Sequence, residues 1–84
     1  ALNELSEQIE AQYREELISE ASARVKGRVQ SATWEAWRST AVDQTKASDV
    51  AILVGMTVAE VYVAKSRVNK MLREEVHRLE AAEP

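Results

Sequence analysis

Cysteine is absent from these 84 residues, which excludes a disulfide framework, a thiolate metal site and a cysteine nucleophile. A single histidine, His77, leaves no multi-histidine metal site. Glycine occurs twice, proline once and phenylalanine not at all, and this shortage of turn-formers argues against a turn-rich all-β fold. No run of about 18 apolar residues is present to cross a membrane. The opening ALNELSEQIE also lacks the basic start and apolar stretch of a secretory leader. A cytoplasmic setting is expected. The length allows one small domain and excludes a large catalytic cleft or a two-domain cofactor fold. A start at Ala1 rather than Met fits a piece of a longer protein.

What remains is mostly Ala, Val and Leu set among Glu, Arg and Lys, a mixture of helix formers and short aliphatics. The formal net charge of -3 and a pI near 5.2 argue, taken alone, against a nucleic-acid partner. Dividing the charge by segment changes that reading. Residues 1 to 20 carry Glu4, Glu7, Glu10, Glu15, Glu16 and Glu20 against Arg14, a balance of -5. Residues 24 to 73 carry nine Lys and Arg against four acids, a balance of +5. The tail from Glu74 is acidic again.

Leu2, Leu5, Ile9, Tyr13 and Leu17 recur at steps of three and four, which predicts an amphipathic helix from Asn3 to Lys26. Gly27 weakens its end. Ser31 and Thr33 are the candidate N-caps of a second helix that runs through Trp34 and Trp37 to Val42. Both tryptophans are expected in the core, since a small helical domain needs bulky fillers. After a polar break at Asp43 to Lys46, a short helix covers Ala47 to Val54. Gly55 then stands where a left-handed residue ends a helix at least cost. Thr57 and Glu60 form a T-x-x-E capping box that opens a last helix from Val58 to about Ala81. Val61, Ala64, Val68, Leu72, Val76 and Leu79 are its apolar stripe, and the remaining glutamates are expected on exposed faces.

A short helix, a glycine turn and a capped longer helix are the outline of a helix-turn-helix, with Ala51 small under the crossing and Val61 filling the angle. The expected fold is therefore all-α, a small domain of four to five helices containing a helix-turn-helix. A generic helical hairpin is the competing reading. At 100° per residue, Ala59, Tyr62, Val63, Ser66, Lys70 and Arg73 lie opposite the apolar stripe, with Arg67 beside them and no acid until Glu74. If the first turns enter a major groove, Val58, Ala59 and Val63 meet thymine methyls, while Tyr62, Ser66 and Arg67 reach base edges or phosphates. Lys70 and Arg73 lie where the helix leaves the groove and suit phosphate. Lys46 ahead of the short helix completes the candidate DNA-binding set read from the residues. A solvated face, or for Val58 and Val63 a protein interface, are the plainer explanations.

The stretch from Arg24 to Leu79, above all A-S-D-V-A-I-L-V-G-M-T-V-A-E-V-Y-V-A-K-S-R-V, resembles the fourth conserved region of bacterial extracytoplasmic-function sigma factors. The preceding S-A-T-W-E-A-W-R is similar to the helix leading into that region, and V-Y-V-A-K-S-R extends the likeness beyond a generic helix-turn-helix toward a planctomycete-type subgroup. The resemblance implies a module that recognises the minus-35 promoter element through the helix opening at Thr57, docks on the flap of the RNA polymerase β subunit and is open to an anti-sigma factor. It implies residues 24 to 84 as that domain and residues 1 to 23 as an acidic amphipathic helix or linker that the family does not explain.

No enzyme is expected: no nucleophile has a positioned base, no glycine-rich phosphate loop exists, and no cofactor, metal or small-molecule substrate is implied. Two other classes compete. One is a response-regulator-type output domain, which shares the helix-turn-helix but dimerises through its last helix. The other is a helical protein-interaction module built on the Leu2 to Leu17 stripe.

Overall fold

The computed structural model describes residues 1–82. It contains four α-helices, α1 (Leu2–Lys26), α2 (Ser31–Trp37), α3 (Ala47–Val54) and α4 (Val58–Ala82), with a π-helical segment (Arg38–Val42) following α2. No strand occurs among the described residues. Glu83 and Pro84, the end of the expected domain, lie outside them. α1 runs unbroken across the expected boundary between residues 23 and 24.

The periodic apolar stripe of α4 forms the spine. One core cluster joins Ala36, Val50, Ala51, Val61 and Ala64. Three of its five members are alanine, so α2, α3 and α4 approach closely where they cross. A second cluster joins Val25, Trp34 and Val68, covered by Val29, Trp37, Met71 and Leu72. The two tryptophan rings lie 4.8 Å apart at their centroids. Trp37 turns its indole N–H outward to donate to Asn69 Oδ1 at 2.8 Å, which satisfies the one polar atom of a half-buried ring.

α1 and α4 pack antiparallel, because Val25 meets the Val68 cluster, Arg24 reaches Glu75 and Leu17 lies beside Leu79. Leu17, Ala21 and Val25 are the buried residues of α1. Leu2, Leu5 and Ile9, on the same expected stripe, remain exposed.

Two local expectations change. The α2 N-cap is Gln30, without a side-chain hydrogen bond, and Ser31 is already the first helical residue. Neither Ser31 nor Thr33 caps the helix, because the extended residue that a cap requires falls one position earlier, at Gln30 (φ -66, ψ 149). After Trp37 the winding also widens to π geometry rather than continuing as α-helix. There the buried Thr40 hydroxyl donates to the Ala36 carbonyl at 2.7 Å, giving that acceptor a side-chain donor at the point where the winding changes.

Between α3 and α4 the chain turns by 96°. Gly55 is left-handed (φ 72, ψ 34), and the Met56 amide donates to the Ala51 carbonyl at 3.0 Å. The capping box forms as its spacing predicts: the Glu60 amide donates to Thr57 Oγ1 at 3.1 Å, and the Thr57 amide donates to Glu60 Oε1 at 3.3 Å. A Cβ built on Gly55 meets nothing within 4 Å. A side chain there is therefore resisted by backbone conformation and not by contact, including in the Gly55→Val change expected to distort or unfold the turn. Gly55→Ala should cost about 1 kcal/mol, a fall in Tm of roughly 4–8 °C, with Gly55→Asn milder. Equal melting of Gly55→Ala and the parent would remove glycine's role in the turn.

Candidate nucleic-acid interface

The residues singled out on α4 emerge on one exposed surface. Val61, Ala64 and Val68 are buried, which holds the helix in one rotational setting, and Val58, Ala59, Tyr62, Val63, Ser66, Arg67, Lys70 and Arg73 are exposed. Tyr62 is 59% and Val63 67% accessible, so neither is a core residue displaced outward. Thr57 opens the same helix, but its hydroxyl oxygen already accepts the Glu60 amide. Its role begins with positioning the first turn. Lys46 is exposed and sits on another element, at the N-cap of α3, roughly 12 Å along that helix from the Gly55 turn.

Ion pairing divides the basic residues into two sets. Arg24 and Arg28 count toward the +5 of the central segment, yet both bond the Glu75 carboxylate, at 3.2 and 3.4 Å, and Arg78 joins them at 2.8 Å. Arg38 bonds Glu35 and, at 3.1 Å, Asp43. Among the described residues, Lys26 at the end of α1 and Lys46, Lys65, Arg67, Lys70 and Arg73 form no ion pair with the chain's own carboxylates, so five of these six unpaired cations of the central segment lie on α4 or just ahead of α3. The positive potential available to a partner is thus concentrated on α4 and its approach, and the first third of the +5 segment contributes less than its residue count suggests.

Glu75 overturns the expectation that the glutamates lie on exposed faces. It is 5% accessible and stands seven residues after Val68, in phase with the buried stripe. Burial alone pushes its carboxyl pKa up, but hydrogen bonds from Arg24 and Arg78 and the charges behind them outweigh that and hold it below the ordinary carboxylate value. The Arg38 guanidinium likewise lowers Glu35. A signal for Glu75 was present in its helical phase, an acid on an apolar stripe.

Two shallow grooves flank the outward face. Ala59, Val63 and Arg67 border one with Gln30, Thr33 and Met56, which brings the start of α2 to the edge of the candidate interface. No pattern in the sequence pointed to that neighbour, since 26 positions separate Thr33 from Ala59. Arg73 borders the other groove, with Ile18, Leu72, Val76 and His77. Arg73 therefore stands on the side of α4 nearer α1 and apart from Arg67.

No group of three or more His, Cys, Asp or Glu suited to a metal ion occurs among the described residues, and no single helix is long and apolar enough to cross a membrane. Comparison with protein-family models, with curated proteins and with solved structures returned no match.

Proposed function

We propose that this chain is a helix-turn-helix DNA-binding module of bacterial transcription initiation, acting in the cytoplasm in the manner of sigma-factor region 4 and without catalytic activity. α3 and α4 are its two helices and α4 is the recognition helix. The observation that carries the reading is the outward face of α4: exposed aliphatic and hydroxyl side chains over its first turns, then Arg67, Lys70 and Arg73 with no carboxylate partner among the described residues. The 96° turn between the helices falls in the range such motifs use to present one helix to a major groove. Phosphate contacts by the cations supply sequence-independent affinity, and Val58, Ala59, Tyr62, Val63 and Ser66 face the base edges. The minus-35 promoter element, the polymerase β flap and an anti-sigma factor are the partners this reading implies, and the rest of a longer factor would raise the local concentration of a module that binds weakly alone.

Titrating duplex DNA with the parent chain and with Arg67→Ala and Lys70→Ala at several salt concentrations tests this. Each variant should bind more weakly and lower the slope of log affinity against log salt by roughly one unit for each phosphate it no longer neutralises. Unchanged affinity and slope in both would remove α4 from the interface. The exposed Leu2, Leu5 and Ile9 favour a second property, an interaction surface on α1.

A further inference from the structure

The geometry points to the start of α2 as a second part of the DNA interface, where Gln30 and Thr33 hold the sugar–phosphate backbone alongside α4. This rests on the reading of α4 as the helix that enters the groove of the duplex. At 100° per residue the row Ala59, Val63, Arg67 runs to one edge of the outward face of α4, and Tyr62 and Arg73 lie at the other. Gln30 and Thr33 stand across a shallow surface groove from that row. A helix with its side chains is about 10–12 Å across, and the major groove is about 12 Å wide. α4 therefore fills it, and a side chain fixed beside the first turns of α4 stands over the backbone at the groove's edge rather than over the bases.

The side chains suit that place. Gln30 is exposed and Thr33 half-buried, and an amide and a hydroxyl can both donate to phosphate oxygens. Neither side chain is hydrogen-bonded to another group among the described residues. Arg67 borders the same surface groove, so a phosphate arriving there meets one cation and two neutral donors. Glu60 is the one acid bordering it among the described residues, and its carboxylate accepts the Thr57 amide. The arrangement is also set before DNA arrives. Trp34, next to Thr33, is buried in the cluster with Val25 and Val68, and Ala36 in the cluster with Val61 and Ala64. α2 is thereby held to the recognition helix, and its contact requires little ordering on binding.

Titration of a mixed-sequence DNA duplex at several salt concentrations tests it, with far-UV circular dichroism to confirm that each variant is folded. Gln30→Ala and Thr33→Ala should each weaken binding about three- to tenfold. Both should keep the parent's salt slope, because a neutral donor displaces no counterion. Gln30→Lys should bind more tightly than the parent and steepen the slope by about one unit. Gln12→Lys makes the same charge change at the far end of α4, since Leu17 of α1 lies beside Leu79, and should leave the slope unchanged. Parent-like affinity in both alanine variants, or a Gln30→Lys slope no steeper than that of Gln12→Lys, overturns the α2 contact. Arg67→Ala and Lys70→Ala then show which reading has failed. If they still weaken binding and flatten the slope, the α2 contact alone falls. If they too bind like the parent, or the parent binds no duplex, the α4 interface falls and the α2 contact with it.

Discussion

Trp34→Ala should remove a large part of the chain's stability and lower its Tm by well over ten degrees. Trp34 is 9% accessible and stands in the cluster where α1 (Val25), α2 and α4 (Val68) meet, stacked at a tilt of 39° on Trp37. Removing a buried indole typically costs about 3–5 kcal/mol through the transfer energy forgone and the cavity left behind. That is a large share of the roughly 5–15 kcal/mol that stabilises a typical domain, and a core built mainly of valine and alanine has no large side chain to collapse into the gap. Trp34→Phe should retain a cooperative melt at reduced Tm. Trp37→Ala should be the milder truncation, because Trp37 is only half-buried and gives up one hydrogen bond to Asn69. Thermal melts followed by circular dichroism decide the matter. A Trp34→Ala protein melting within a few degrees of the parent would mean that this cluster does not hold the three helices together.

The second large effect is expected at Glu75. In Glu75→Lys a cation replaces the carboxylate that three guanidiniums share, two of them from α1 and the segment after it. Four like charges then meet at the α1–α4 contact, and α1 should separate from α4 while the 96° α3–α4 pair keeps its own core of Val50, Ala51, Val61 and Ala64. Amide hydrogen exchange would report this as loss of protection in α1 with protection retained around Val61. Full protection of α1 in Glu75→Lys would show that the apolar contacts of Leu17, Ala21 and Val25 suffice without the carboxylate. Because the folded-state pKa of Glu75 is depressed, its contribution to stability is present above the unfolded carboxyl pKa of about 4.3 and is lost as pH falls through the folded value. The parent should lose stability on acidification below that range, and Glu75→Gln, which carries no ionisable group, should lose less.

The helices were readable because their signals are local. Leu2, Leu5, Ile9, Tyr13 and Leu17 recur at steps of three and four, Gly55 occupies the left-handed position at the end of α3, and Thr57 and Glu60 stand three apart as reciprocal capping requires. The shift of the α2 cap to Gln30 and the π winding after Trp37 were not readable. Ser31 and Thr33 both carry suitable cap oxygens, and the choice depends on where the chain arrives from α1. For the candidate site, the rotational setting of α4 was legible from its stripe, and with it the exposure of Tyr62, Val63, Ser66, Lys70 and Arg73. The nearness of Gln30 and Thr33 to Ala59 and Arg67 was not, because contacts between distant segments leave no periodic trace.

Charge shows the same division. Composition established that a basic segment lies between two acidic ends, and helical phase established that the outward face of α4 carries no acid before Glu74. Only the tertiary structure decided which bases remain unpaired, since Arg24 and Arg28 meet Glu75 from about fifty residues away. It also decided that one apolar stripe on α1 is covered over its second half and bare over its first. A hydrophobic period records which side chains share a face, whereas whether that face is buried depends on which distant segments pack against it, and that leaves no trace in the period itself.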